Sequence, residues 1–181
     1  MPSPCTYPND IFFDIETLIN VAQPTSILLI GNQKSDFLDS YLEQKKLLNQ
    51  ECKITKISTN EITLLENTER HDVGIVIDLF EHIDKQTGIQ ILSKLRDLLC
   101  HQYCICLAIS TQNDIADSTK WQLSDMFGFA LERVAIYADS MPDQKLQTGL
   151  FKYNINDYKK TPDWLNSDNW ANPEMWDKYW W

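Results

Sequence analysis

Asp78-Leu79-Phe80-Glu81-His82 sets two carboxylates and an imidazole within five residues, groups that can hold or pass a proton near neutral pH. The run from Val73 to Leu79 that leads into it is almost wholly apolar, the mark of a strand buried in a sheet. Open α/β sheets place ligands at the C-terminal ends of such strands, so Asp78, Glu81 and His82 are candidate ligand-facing residues. Two readings stand side by side. In one, a base and an acid meet a ligand there; in the other, Glu81 and His82 cap the following helix and hold its loop. No nucleophile, metal set or phosphate loop lies nearby in sequence, which favours the second. His71 and His101 read as residues at loop edges.

A second cluster, Cys100-His101-Gln102-Tyr103-Cys104-Ile105-Cys106, gathers three of the chain's five cysteines with an imidazole. A soft metal site is conceivable, but no second ligand pair at zinc-like spacing exists elsewhere, so no metal is expected. Cys104 and Cys106 alternate within an apolar run ending at Ser110, where a strand turns both to one buried face and cysteine acts as a small hydrophobe. The odd, scattered set is unlike a disulfide framework, and reduced thiols are expected.

A third concentration is aromatic. Trp164, Trp170, Trp176, Trp180 and Trp181 are five of the six tryptophans and fall in the last eighteen residues. They could form a satellite core on the domain, present a docking strip to a protein partner, or close over a small-molecule cleft. Packing on the chain's own domain is the expectation, with a short helix from Asn172, where Asn172-Pro173-Glu174 supplies a cap, a proline at the first helical position and an early acid.

These residues need elements to position them. Apolar spacing from Ile11 to Val21 predicts a leading helix, introduced by Pro8-Asn9-Asp10. Thr25 to Ile30 predicts a buried strand ending at Gly31, and Phe37 to Leu48 a helix with Ser35 as N-cap. Strands follow at Cys52 to Ser58 and Val73 to Leu79, with Gly74 marking close packing. A helix over Lys85 to Leu99 leads to a strand over Tyr103 to Ser110. A helix capped by Asp117-Ser118 runs to Phe127, near Gly128. Strands Leu131 to Tyr137 and Thr148 to Ile155, joined through Met141-Pro142-Asp143-Gln144, close the domain as a hairpin. Six strands are expected, with Thr25 to Ile30 and Val73 to Leu79 parallel neighbours at the centre and Leu131 to Tyr137 at an edge. The division is an α/β domain over 1–156 and a Trp-rich tail over 157–181.

This order, with the block from Asp72 to Ile83 and then Ile91-Leu92 and Leu95-Arg96-Asp97-Leu98-Leu99, resembles the class I S-adenosylmethionine-dependent methyltransferases. The likeness spans roughly residues 10 to 155. It implies a Rossmann-like, mostly parallel sheet with a C-terminal antiparallel β-hairpin. The ending from Asp157-Tyr158-Lys159 through Pro162-Asp163-Trp164-Leu165-Asn166 to Trp170-Ala171-Asn172-Pro173-Glu174 is similar to a family of uncharacterised bacterial proteins with a degenerate methyltransferase-like domain. An active family member carries an acid, one residue, then Gly-x-Gly-x-Gly after its first strand; here those positions hold Leu29, then Gly31, Gln33 and Ser35, so one glycine of three survives. Ser58 stands where the second strand should end in an acid that accepts ribose hydroxyls. Twelve residues, Thr59 to Arg70, then lead to His71, too few for the family's next helix, edge strand and helix, so one edge strand and the adenine-side wall are expected to be missing. Gly31, Asn32 and Ser58 join Asp78, Glu81 and His82 as candidate ligand-facing residues.

With 16 basic and 26 acidic residues the net charge is −10 and the pI near 4.6, poorly suited to nucleic acid or anionic lipid. The tail repeats the point against single-stranded nucleic acid, since residues 158 to 181 hold three lysines against four acids. No apolar run approaches the ~20 residues that span a bilayer, and the N-terminus lacks a secretory signal, so a cytoplasmic protein is expected. The reading is a non-catalytic binding or protein-interaction module with no cofactor and a protein partner engaged through the tail. The alternative is a methyltransferase with an atypical S-adenosylmethionine pocket.

Overall fold

The computed structural model describes residues 7–110, 119–137 and 146–158, together with 175 and 178. The chain opens with α1 (Asn9–Ala22), which buries Ile11, Ile15 and Ile19, a four-residue repeat that lays one stripe on the sheet. β1 (Ser26–Ile30) follows, then a 3-10 turn (Asp36–Leu38) running into α2 (Asp39–Leu47). β2 (Lys53–Ile57) leads into a kinked 3-10 segment (Thr59–Asn67) and β3 (His71–Val76). α3 (Lys85–Lys94) passes through a π turn (Leu95–Leu99) into β4 (Cys100–Ser110). α4 (Leu123–Gly128), β5 (Glu132–Tyr137), β6 (Leu146–Asn154) and the single turn α5 (Ile155–Tyr158) complete the order.

The six strands form one sheet in the order β2-β1-β3-β4-β6-β5. β2, β1, β3 and β4 are parallel, while β6 runs antiparallel to β4 and to β5. β1 and β3 are the expected parallel neighbours, pairing Ile27 with Val73 and Ile30 with Val76. β5 is the edge. The sheet is a mixed α/β sheet, mostly parallel with a C-terminal antiparallel pair, and no strand lies outside β2 among the described residues.

Alternation along the strands divides the core. Ile27, Leu29, Ile75, Ile77, Cys104 and Cys106 face α1 and α2, whereas Leu28, Ile30, Val76, Ile105 and Leu107 face α3, α4 and the 3-10 segment. Both faces are therefore dry. Gly74 has the expected tight contact, since a Cβ there would lie 2.6 Å from Cys100 Sγ and 3.1 Å from Tyr103 Cβ. Where β1 and β3 begin, the Asp72 carboxylate accepts from the Thr25 backbone N–H (2.8 Å), the Thr25 hydroxyl (2.7 Å) and the Ser26 backbone N–H (3.0 Å). Burial pushes that carboxyl up, but these hydrogen bonds outweigh it and leave the pKa below the ordinary aspartate value.

Several expectations shift. The helix after β1 starts as a 3-10 turn, and Ser35 makes no side-chain cap; its hydroxyl accepts from Lys56 Nζ. The predicted helix over Lys85 to Leu99 is α-helical only to Lys94. β4 starts three residues early, with Cys100 fully buried and its thiol pushed up to about 12 by that burial. α4 starts at Leu123, where the Asp125 carboxylate accepts from the Gln122 backbone N–H at 2.9 Å; the Asp117-Ser118 cap lies outside the described residues. The connection at 141–144, the helix from Asn172 and the tail tryptophans also lie outside them. His71 opens β3 at the edge of the preceding loop but is buried: it is 3% exposed, Nδ1 2.7 Å from the Glu69 carbonyl and Nε2 2.8 Å from the Thr55 hydroxyl. His101 is exposed on β4. Among the described residues no group of three His, Cys, Asp or Glu side chains is placed to hold a metal, and no helix is long and apolar enough to cross a membrane.

Candidate ligand cleft at the strand ends

The C-terminal ends of β1 and β2 open onto a cleft of about 650 Å³. Crossovers in a parallel sheet leave a gap there, because successive loops depart to opposite faces. Gly31, Asn32, Ser58 and His82, four of the candidate ligand-facing residues, line it.

Gly31 ends β1 with φ +121°, a backbone that L side chains rarely adopt. Its N–H donates to the Ile57 carbonyl at 2.9 Å, and a Cβ would sit 1.7 Å from the Ile77 carbonyl oxygen. Sheet packing alone thus demands glycine here. Across the cleft the Asn32 side-chain carbonyl accepts from the Thr59 backbone N–H at 3.3 Å, tying the loop after β1 to the 3-10 segment.

Ser58 continues from β2 and its hydroxyl donates to Glu61 Oε2 at 2.8 Å. That bond holds an exposed carboxylate on the cleft wall, with exposed Lys56 on the same wall. Sequence reasoning missed both. The signal for Glu61 was present, since Ser58-Thr59-Asn60-Glu61 has the Ser-x-x-Glu spacing of a capping box.

Asp78 lies just past β3 in the left-handed region, φ 57°, fully buried. Its Oδ1 is 2.9 Å from His82 Nε2, so a buried carboxylate fixes the orientation of an imidazole that borders the cleft. Glu81 parts from this group. Like Asp78, it does not line the cleft as the ligand-facing reading expected, and neither of its carboxylate oxygens has a hydrogen-bond partner among the described residues. Burial pushes its pKa up. The Tyr7 hydroxyl and the backbone of Ala108 ease the charge without completing a hydrogen bond to it, and Asp78 adds repulsion. Nor do Glu81 and His82 cap the next helix: Asp84 does, accepting from the Thr87 backbone N–H at 3.0 Å.

Leu29 borders the same cleft but is 3% exposed and packs into the core on the α1 face. The wall at β1 is therefore apolar, and the polar groups of the cleft come from the loop after β1, the end of β2, the start of the 3-10 segment and His82.

Among solved structures the chain is similar to the methyltransferase domain of bacterial CtHen1-C, at 12% identity and a TM-score of 0.49, covering 80% of this chain and 97% of that one. It is also similar to the Burkholderia thailandensis 1,6-didemethyltoxoflavin-N1-methyltransferase with bound 1,6-didemethyltoxoflavin and S-adenosylhomocysteine, at 9% identity and a TM-score of 0.42, covering 84% and 92%. No curated protein matches it by sequence. The model of one family covers residues 9–181, and the chain belongs to that family, the family of unknown function DUF6231.

Proposed function

We propose that this chain is a non-catalytic binding or protein-interaction module built on a methyltransferase-like domain whose S-adenosylmethionine site is degenerate. Leu29 carries the reading. Where the resemblance calls for an acid reaching the cofactor, a leucine faces the core, and no charge there can meet a polar ligand. Two further observations support it. Ser58, at the position of the ribose-accepting acid, spends its hydroxyl proton on Glu61, and the Gly31 N–H is already paired with Ile57. The residues present do not fit the cofactor as the family holds it. What the cleft offers instead is amides, hydroxyls and the opposite charges of Lys56 and Glu61, a lining suited to a small polar or zwitterionic ligand.

A second reading, a methyltransferase with an atypical pocket, draws on Glu61, because its carboxylate borders the cleft three residues beyond Ser58. Calorimetric titration with S-adenosylmethionine and S-adenosylhomocysteine separates the two. The module reading expects no saturable heat at micromolar ligand. A saturable isotherm that Glu61→Gln abolishes would establish the second reading in its place.

A further inference from the structure

β2 is the sheet edge opposite β5, and among the described residues only β1 pairs with it. The Lys53 N–H donates to the Thr25 carbonyl at 2.8 Å and the Gly31 N–H donates to the Ile57 carbonyl at 2.9 Å, so Lys53, Thr55 and Ile57 turn their main chain toward β1. The N–H and C=O groups of Ile54 and Lys56 therefore point outward. Neither pair has a hydrogen-bond partner among the described residues. At the start of this edge lies a hollow of about 520 Å³, lined by Lys45 and Lys46 from the last turn of α2 and by Lys53. Lys45 is 5% exposed, and its ammonium has only neutral partners among the described residues: it donates to Gln50 Oε1 at 3.0 Å and lies 5.5 Å from the centre of the Tyr41 ring. A buried ammonium is costly without a counter-charge. Glu51 also borders the hollow but is exposed and makes no ion pair with these lysines, and Lys53 meets Glu69 at 3.6 Å with both side chains largely in water.

We propose that the β2 edge takes up an extended acidic peptide of a partner protein as an added strand, its main chain bonding to Ile54 and Lys56 and an acidic side chain entering the lysine hollow. The main-chain groups supply the ladder, and the hollow supplies the charge that the peptide must complement. On a chain of net charge −10, three lysines around one hollow are a local reversal of sign. A second copy of this chain fits less well, because β2 laid against β2 brings Lys53 and Lys56 against the same lysines. An acidic strand turns that repulsion into attraction. The proposal deepens the interaction-module reading and rests on it, but its test uses a peptide and leaves the calorimetric test with S-adenosylmethionine to decide that reading separately.

Fluorescence anisotropy of labelled short peptides titrated with the full chain tests it. A peptide alternating glutamate and valine is expected to bind saturably, more weakly as salt is added, and a lysine–valine peptide about tenfold or more weakly than it, against the sign of the protein's net charge. Lys46→Glu combined with Lys53→Glu changes two exposed side chains of the hollow and is expected to weaken the acidic peptide by about tenfold or more. Successive residues of a strand face opposite edges, so of two analogues, one N-methylated at every glutamate and one at every valine, a single one is expected to lose binding. Equal or tighter binding of the lysine–valine peptide, full binding by both N-methylated analogues, or no binding of the acidic peptide at millimolar protein overturns the proposal. So does a dimer in sedimentation equilibrium whose formation excludes the peptide, which would assign the edge to a second copy.

Discussion

Glu81 is the residue whose chemistry departs furthest from its sequence context. A carboxyl with both oxygens buried prefers its neutral form, and burial first, then the charge of Asp78, raise its pKa. The consequence for stability has a definite sign. Between the unfolded value, about 4.3, and the raised folded value, the native state binds more protons than the unfolded chain, so stability falls as pH rises through that window. Glu81→Gln removes the titration while keeping the shape. Its Tm is expected to exceed that of the natural chain by about 2–4 °C at pH 7, the equivalent of about 1 kcal/mol for a chain of this length, and the gain is expected to vanish below pH 4. A variant less stable than the natural chain at pH 7 would show that the Tyr7 hydroxyl and Ala108 backbone support a charged Glu81 after all. His82 shows the contrasting case: the same short block places its imidazole at the cleft and pins it to Asp78.

At the scale of elements, the sequence was legible where strands are buried on both faces. Thr25 to Ile30 and Val73 to Leu79 read as strands because a central parallel strand tolerates almost no polar residue, and both lie within three residues of the observed bounds. The start of β4 was less visible, because Cys100-His101-Gln102 alternates buried, exposed and half-buried in a way that resembles a loop. The Thr59–Asn67 segment was read only as a missing wall, since one buried residue, Leu65, gives no period to detect. In the candidate site, Gly31, Asn32, Ser58 and His82 were legible from strand ends, whereas the surroundings of Glu81 include Tyr7 and Ala108, which no local pattern connects to it. Gly31 carries a prediction of its own. A motif glycine retained for a ligand would tolerate alanine in the ligand-free protein, but here the added Cβ meets the Ile77 carbonyl in a backbone region closed to side chains. Gly31→Ala is expected to cost about 3–5 kcal/mol in urea unfolding, combining overpacking with backbone strain, while a cost under about 1 kcal/mol would return the residue to a ligand-binding explanation.

For the whole molecule, the sheet separates two ends as well as two faces: a polar cleft beyond β1 and β2, and an apolar groove beside the end of β6. The charge balance acts on all of it. Exposed ion pairs such as Lys53–Glu69 at 3.6 Å, Lys94–Glu66 at 3.5 Å and Lys152–Glu132 at 3.3 Å contribute little each and weaken as salt is added. Against them stands an excess of ten acids over bases, 26 against 16, which repel one another more in the compact state than in the expanded one. Salt screens both effects, and the unpaired excess outweighs the few weak pairs. Raising sodium chloride from 0.01 to 0.5 M, which shortens the screening length from about 30 Å to a few ångströms, is therefore expected to raise Tm by several degrees at pH 8. Near pH 4.6 the net charge approaches zero and the same addition should leave Tm unchanged or lower it slightly, since only the attractive pairs remain to be screened. A fall in Tm with salt at pH 8 would mean that attraction among a subset of surface charges, and not global repulsion, governs how this acidic chain holds together.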